Sequence, residues 1–229
     1  TLEGLKDTSP DFISVTYGAG GSKNRNATFE IASEIKNKYH IESVAHLPGI
    51  GLTRDDVLEK LGELQDKGIE NVLALRGDIP QDYNGSGDFK YACDLISFIK
   101  EHSNVNIIAA CYPEGHIKCE SKIDAGASQL MTQIFFDNDY FYSFRDRCSL
   151  AGIDVPIEAG IMPVVNKKQI ERMATLCGAT VPKKFRAIMD KYSDNPVAMR
   201  DAGIAYAIDQ IVDLIAQGVD GIHLYTMNN

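Results

Sequence analysis

The chain alternates between short apolar runs and amphipathic segments, and this alternation limits the folds that it can adopt. Seven apolar runs occur, and polar residues end most of them. The segments between the runs carry apolar residues at helical spacing, as Phe29, Ala32 and Ile35 do after the first run. Strands that alternate with helices predict a parallel sheet covered by helices. The runs are Phe12–Gly18, Ser43–Pro48, Asn71–Asp78, Asn106–Pro113, Gln129–Asp137, Pro156–Val164 and Gly221–Asn228.

The number of runs favours a closed barrel over an open sheet. An α/β barrel takes about 250 residues, and this chain has 229. Seven parallel strands alone leave two unpaired edges, and the helical segment Thr1–Asp7 precedes the first run. We therefore expect a (β/α)8 TIM barrel, a single domain over residues 1–229, with its first strand located before Thr1. A doubly wound sheet is the alternative, but the turn Gly18-Ala19-Gly20-Gly21-Ser22 lacks the spacing G-x-G-x-x-G.

Several helix ends have local signals. Thr53 is a good N-cap, with acidic residues in the turn that follows, and Gly68 is suited to end that helix. Pro182 and Pro196 suit helix starts. We expect helices over Asn26–Tyr39, Thr53–Lys67, Phe89–His102, Ile117–Gly126, Asp139–Ala151, Lys167–Cys177, Lys183–Lys191 and Asn195–Gln217.

Composition narrows the class of partner. The chain has 23 basic and 32 acidic residues, a net charge of −9, which argues against binding to nucleic acid or to an anionic membrane. No apolar run reaches the roughly 20 residues that span a bilayer. An odd number of cysteines without a C-x-x-C pair predicts a reduced, cytoplasmic protein without a metal site. The cysteines are Cys93, Cys111, Cys119, Cys148 and Cys177.

The polar ends of the runs are the candidate functional residues, because the carboxyl ends of barrel strands converge where barrel enzymes place their active sites. Arg76 and Asp78 follow the apolar stretch Val72–Leu75 and would be costly to bury unpaired. An ion pair that closes the barrel rim is one interpretation. We favour a functional one because of the position at the strand end.

Other polar positions leave alternatives open. His116, in Tyr112-Pro113-Glu114-Gly115-His116, is either a ligand contact or a solvated loop residue, and His46 is more typical of a satisfied core residue. Gln133 needs hydrogen-bond partners from the barrel interior or from a polar ligand. Thr16 suits core and site equally. A polar, aromatic strand end of this kind suits a planar polar cofactor.

Six motifs together resemble those of the bacterial-type methylenetetrahydrofolate reductases, and the resemblance covers essentially the whole chain. Each motif alone is modest, whereas the ordered set is specific. The motifs are Ser14-Val15-Thr16-Tyr17-Gly18, Ala74-Leu75-Arg76-Gly77-Asp78, Tyr112-Pro113-Glu114-x-His116, Asp124-Ala125-Gly126-Ala127, Thr132-Gln133-x-Phe135-Phe136-Asp137 and Gly160-Ile161-Met162-Pro163-Val164.

The resemblance implies an FAD-dependent barrel enzyme that reduces 5,10-methylenetetrahydrofolate to 5-methyltetrahydrofolate with electrons from NADH. It assigns Gln133 and Gln169 to folate, and it assigns a catalytic, electrostatic role to Asp78 near the pyrimidine end of the flavin. The positions that match FAD contacts are Thr16, His46, Arg76, Gly77, Asp78, Tyr91, Ala92, Tyr112, His116 and Lys122.

Three departures from the family pattern accompany the resemblance. The family's general acid is a glutamate on the first barrel strand, which we expect before Thr1. The loop after His116 is shorter than in the family, and Asn229 stands where the family has an arginine. A non-catalytic or partner-dependent flavin- or folate-binding subunit therefore stays an alternative, as does a barrel lyase, although no run contains the lysine that such a lyase would need. A homo-oligomer or an electron-donor protein partner is possible within this prediction.

Overall fold

The computed structural model describes residues 2–5, 8–17, 27–79, 85–115 and 119–226. Within these ranges the seven predicted strands are present and follow one another in chain order through one sheet. Neighbouring strands pair in parallel from β1 to β4 and from β5 to β7. The predicted α/β class with barrel-type alternation is confirmed. The strands are β1 (Phe12–Val15), β2 (Glu42–Pro48), β3 (Asn71–Leu75), β4 (Asn106–Cys111), β5 (Gln129–Thr132), β6 (Ile157–Ile161) and β7 (Gly221–Leu224).

Helices lie between the strands, and their caps follow the predicted signals. The Thr53 hydroxyl accepts from the Asp56 amide at 3.2 Å, and the Asp56 carboxylate accepts from the Thr53 amide at 2.7 Å. Gly68 follows that helix with φ +68°, a conformation that glycine adopts readily. The helices are α1 (Leu2–Leu5), α2 (Ala27–Tyr39), α3 (Arg54–Asp66), α4 (Ala92–His102), α5 (Glu120–Asp124), α6 (Asn138–Leu150), α7 (Lys167–Cys177), α8 (Lys183–Tyr192) and α9 (Pro196–Ala216).

Two of the boundaries that differ from the prediction have physical reasons in the structure. Helix α4 begins at Ala92 instead of Phe89, because Phe89 is buried and packs its ring against Phe98, 5.4 Å away between centroids. Strand β5 ends at Thr132, although the apolar run continues to Phe136. The rest of that run is irregular but buried, and apolarity alone does not distinguish the two conformations.

The chain divides into two compact units, Thr1–Ala110 with Ser121–Ser128 and Cys111–Glu120 with Gln129–Asn229. The expectation of one domain over residues 1–229 stays a prediction, as does the strand before Thr1. In the first unit, alternate residues of β2 and β3 are fully buried, among them Ala45, Leu47, Val72 and Ala74.

The second unit has a core of its own beyond the end of β5. Phe136 and Phe185 lie 5.6 Å apart between ring centroids, and Met162, Val164 and Ile170 belong to the same buried cluster. Helices α7 and α8 are therefore fixed against the segments that follow β5 and β6. Among the described residues, no helix is both long enough and apolar enough to cross a membrane.

Candidate functional site

In the first unit, Arg76, Gly77 and Asp78 follow β3 where the strand ends. Both charged side chains are exposed, and the Arg76 Nε donates a long hydrogen bond of 3.3 Å to the Gly77 carbonyl. Neither side chain forms a salt bridge with another residue in the part of the chain that the structure describes. The rim ion pair that the sequence also allowed is therefore not formed there, and both charges are accessible to a ligand.

The backbone at Gly77 is fixed by its neighbours. Its φ is +88°, and a Cβ at this position would lie 2.8 Å from the Cγ2 of Ile50 and 2.9 Å from the Cβ of Pro48. The Ile50 amide also donates to the Arg76 carbonyl at 2.8 Å. The segment after β3 thus lies directly on the segment after β2, and only a glycine fits at the contact.

The far end of the β3–α4 loop is anchored to the same segment. Asp88 donates its amide to the Leu52 carbonyl at 2.9 Å, and its carboxylate accepts from the Arg54 amide at 2.8 Å at the start of α3. A carboxylate is favourable at a helix N-terminus. These bonds fix the described end of the loop that carries Arg76 and Asp78.

Lys122 bonds to a strand of the first unit, and His46 is part of one. The Lys122 Nζ donates to the Ala110 carbonyl at 2.6 Å, near the carboxyl end of β4. His46 is buried within β2, in register with Leu73 of β3. The core placement that was thought typical for an isolated strand histidine is therefore found.

Three further predicted positions in the first unit are placed at element ends. Thr16 follows β1 with its side chain exposed, and its carbonyl accepts from the Thr28 hydroxyl at 3.1 Å. Tyr91 is the N-cap residue of α4, the residue is 52% exposed, and its backbone amide donates to the Asp94 carboxylate at 2.8 Å. Ala92 is the first residue of α4.

In the second unit, Tyr112 and Gln133 line one pocket of about 170 Å³. The backbone amide of Gln133 donates to the Cys111 carbonyl at 2.7 Å. The side-chain oxygen of Gln133, Oε1, accepts from the Ile134 backbone amide at 2.9 Å. In the part of the chain that the structure describes, the side-chain nitrogen of Gln133 donates to no other residue and can donate to a ligand. The pocket is lined by Tyr112, Pro113, Glu114, Gly115, Gln133, Ile134, Cys177, Gly178 and Ala179.

The second unit also buries polar side chains that the sequence interpretation did not single out. Glu158 and Gly160 lie two residues apart on β6, and His223 of β7 is in register with Gly160. Gln129 donates to the buried Glu158 carboxylate. Desolvation lowers the pKa of His223 to about 4, so the ring is neutral near pH 7. The sequence signal that could have identified Glu158 and His223 is the presence of an ionisable residue inside an apolar strand.

Tyr225 follows β7 and is half-buried. Its hydroxyl donates to the Thr132 carbonyl at 3.0 Å. Burial is the main reason that the pKa of Tyr225 is raised above its usual value. The residue therefore joins the ends of β5 and β7 as a neutral phenol.

Two predicted site residues are not placed by the structure. His116 lies outside the described residues, and with it the shortened loop expected after it. Gln169 belongs to α7, which fixes its backbone only.

Strands in chain order through one sheet, with polar side chains after β3 in one unit and around a pocket after β4 and β5 in the other, are typical of the β/α-barrel class of proteins. The sequence profile of methylenetetrahydrofolate reductase matches residues 1–229. The chain belongs to the methylenetetrahydrofolate reductase family, which makes it an oxidoreductase that reduces methylenetetrahydrofolate.

Three relatives illustrate the match. The chain is 38% identical over 238 residues to the 5,10-methylenetetrahydrofolate reductase of Pectobacterium carotovorum subsp. carotovorum, covering 100% of this chain and 79% of the relative. It is 36% identical over 239 residues to the enzyme of the same name from Escherichia coli K12, with the same coverage. It is 33% identical to methylenetetrahydrofolate reductase (NADH) 1 of Arabidopsis thaliana, covering 99% of this chain and 42% of the plant protein.

Solved structures of low identity share the fold. A Clostridium thermocellum protein that binds two copies of 5-methyl-5,6,7,8-tetrahydrofolic acid aligns with TM-score 0.54 at 12% identity, covering 99% of this chain and 92% of that one. A phosphonopyruvate hydrolase aligns with TM-score 0.54 at 13% identity, covering 94% and 86%. These similarities support the fold and carry no assignment of function.

Proposed function

We propose that the chain reduces 5,10-methylenetetrahydrofolate to 5-methyltetrahydrofolate with electrons from NADH, and that FAD carries them. The observation that carries the proposal is the accessible Arg76-Gly77-Asp78 segment after β3 in a chain that matches the family over its full length. The net reaction adds one hydride and one proton to the folate. When bound, FAD accepts the hydride from NADH and donates it to the folate.

The first unit offers side chains that fit FAD. Arg76 and Lys122 supply cations for a pyrophosphate, and Arg76 can contact it with two nitrogens at once. The exposed ring of Tyr91 offers a flat apolar surface. The tight glycine contact at Gly77 brings a backbone without a side chain to the strand end, where a large planar group needs room.

The remaining matched positions extend this assignment within the first unit. Thr16 follows β1, Ala92 is the first residue of α4, and His46 lies buried inside β2. We assign these residues to FAD together with Gly77. The assignments of Tyr112 and His116 to FAD stay predictions.

Asp78 is the proposed catalytic residue. A preorganised negative charge favours a cation that develops nearby, and the ring-opened folate that accepts hydride is a cationic iminium. The same charge disfavours additional negative charge on an adjacent reduced ring system. Asp78 therefore stabilises the reacting folate and favours hydride donation to it.

The second unit offers the folate contacts. The Ile134 amide holds the side-chain oxygen of Gln133, and the side-chain nitrogen can donate to a ligand. A pterin ring presents hydrogen-bond acceptors along one edge, and an amide fixed by a backbone bond loses little entropy on binding. We assign Gln133 and Gln169 to folate, the first on this geometry and the second on its place in the family motif.

The experiment follows the colour of the flavin in the purified protein. We expect bound FAD to absorb near its characteristic bands, to be bleached by NADH, and to regain colour when 5,10-methylenetetrahydrofolate is added. A protein that neither binds FAD nor oxidises NADH with this folate would refute the proposal. If FAD binds and dithionite but not NADH bleaches it, the electron donor is a protein partner or another reductant.

A pair of variants tests the role of Asp78. Asp78→Asn should retain FAD but slow reoxidation by folate about a hundredfold, the order of magnitude for loss of one transition-state contact. Asp66→Asn, at the exposed end of α3, removes a charge of the same sign and should leave this rate unchanged. Equal rates in the two variants would remove Asp78 from the mechanism.

The lyase alternative lacks support among the described strands. A barrel lyase that forms a Schiff base needs a lysine inside a strand, and β1 to β7 contain none.

A further inference from the structure

Helix α7 ends in a turn whose backbone needs a partner from another segment. Gly178 follows the helix with φ +67°, and the Ala179 amide donates back to the Ala174 carbonyl at 2.9 Å. The next amide, that of Thr180, lies beyond the helix and has no partner within it. Its partner is the carboxylate of Glu114, whose two oxygens both lie 2.9 Å from the Thr180 nitrogen.

Glu114 is itself held in place by the segment to which it belongs. The Gly115 amide donates to the Tyr112 carbonyl at 3.0 Å and closes the turn after β4. Arg147 of α6 donates to the Pro113 carbonyl at 3.0 Å. The turn that carries the Glu114 carboxylate is thus held by a bond within itself and by a bond from α6.

These contacts join two walls of the Gln133 pocket. The turn after β4 forms one wall with Tyr112, and the turn after α7 forms another with Cys177 and Ala179. The hydrogen bond from the Thr180 amide to the Glu114 carboxylate ties these two turns to each other. Apolar packing also holds the α7–α8 turn, because Cys177, Ala179 and Val181 lie against the buried cluster of the second unit.

We propose that Glu114 is a positioning residue for folate, which fixes the α7–α8 turn, and with it α7, at the pocket around Gln133. This inference rests on the proposed function, because it takes that pocket as the folate site. Glu114 acts through the backbone of Thr180 and not by contact with the reacting atoms. Its loss should therefore weaken folate binding more than it slows the chemical step.

Three variants separate this role from a general loss of stability. Glu114→Ala removes both acceptor oxygens, Glu114→Gln retains one, and Thr180→Ala retains the amide that donates. With the purified protein, NADH and varied 5,10-methylenetetrahydrofolate, Glu114→Ala should raise KM for the folate about tenfold, the order expected for a hydrogen bond to a charged group. Its kcat should stay within about twofold of the wild type.

The other two variants set the comparison. Glu114→Gln should restore most of the wild-type KM, and Thr180→Ala should match the wild type. A fall in kcat without a change in KM, or a Thr180→Ala variant as impaired as Glu114→Ala, would overturn the proposal. A wild-type protein that does not turn over this folate would count against the proposed function instead.

Amide hydrogen exchange tests the contact independently of activity. In the wild type the Thr180 amide should exchange slowly, and in Glu114→Ala it should exchange at least about tenfold faster. The Ala179 amide, bonded within the helix end, is the internal reference and should change little. A Thr180 amide that is equally protected in both proteins would refute the positioning role even if the enzyme proves active.

Discussion

Substitution of Gly77 by alanine should destabilise the protein through two separable effects. The first is conformational, because a φ of +88° is unfavourable for a residue with a Cβ by about 1–2 kcal/mol. The second is crowding, because the new Cβ would lie 2.8 Å from the Ile50 side chain and 2.9 Å from the rigid ring of Pro48. Overpacking of this kind costs about 1–3 kcal/mol. We expect a total loss of about 2–5 kcal/mol in the free energy of unfolding.

Gly85 in the same loop provides the matched control. Its φ is +81°, and a Cβ there would meet no atom of the described residues within 4 Å. Gly85→Ala therefore carries the conformational cost without the crowding. Both variants lose the same chain entropy in the unfolded state, so the difference between them, about 1–3 kcal/mol, reports the crowding alone.

The assay is urea unfolding of both variants, with equal slopes as the check that the unfolded states match. Fluorescence titration with FAD adds a functional measurement. Gly77→Ala should weaken FAD binding because Arg76 and Asp78 move with the displaced backbone, whereas Gly85→Ala should not. Stabilities that agree within about 0.5 kcal/mol would show that the β2 and β3 ends are not in the close contact described.

Three further outcomes are expected. Gly203→Ala should destabilise α9 packing by more than about 3 kcal/mol, seen as a lower Tm, because its Cβ would lie 1.7 Å from the Val164 carbonyl oxygen. Stability should fall as pH decreases from 6.5 to 4, because burial lowers the pKa of His223 to about 4 and the unfolded state binds the proton more readily; His223→Asn should flatten this slope in urea titrations. Tyr142→Phe should cost about 1 kcal/mol in urea unfolding, because it removes a 2.6 Å bond to Asp213.

Each of these has a control in the chain. Gly62→Ala, in α3 with nothing near its Cβ, should not lower Tm. His40→Asn, at an exposed histidine, should leave the free energy of unfolding at pH 7 within about 0.5 kcal/mol of the wild type. Tyr140→Phe, two residues before Tyr142, should leave stability within about 0.5 kcal/mol. A control that behaves like its partner variant would contradict the corresponding argument.

Local sequence signals predicted the elements because their causes are local. The Thr53 cap, the Gly68 end and the Pro196 start depend on a few neighbouring residues, and the structure places them as expected. The start of α4 was wrong by three residues, because the burial of Phe89 is a tertiary contact that helical periodicity does not contain. The irregular buried segment after Thr132 was missed for the same reason.

The candidate site divides in the same way. Arg76 and Asp78 were identified from the sequence because charged side chains directly after an apolar strand are costly in free energy to bury without a partner. Glu158 and His223 were missed, although they too interrupt apolar strands, since no motif drew attention to them. The link from Glu114 to Thr180 joins residues 66 positions apart in the chain and had no local signal.

By itself, the sequence determined the alternation of strands and helices, the family, and the residue types at the strand ends, because periodicity, capping and motif order are carried by neighbouring residues. The tertiary structure alone decided which backbones touch, as at Gly77 and Gly203, and which side chains share a pocket, as Tyr112 and Gln133 do. The physical reason is range. Steric exclusion and hydrogen bonding act over a few ångströms in space, whatever the separation along the chain.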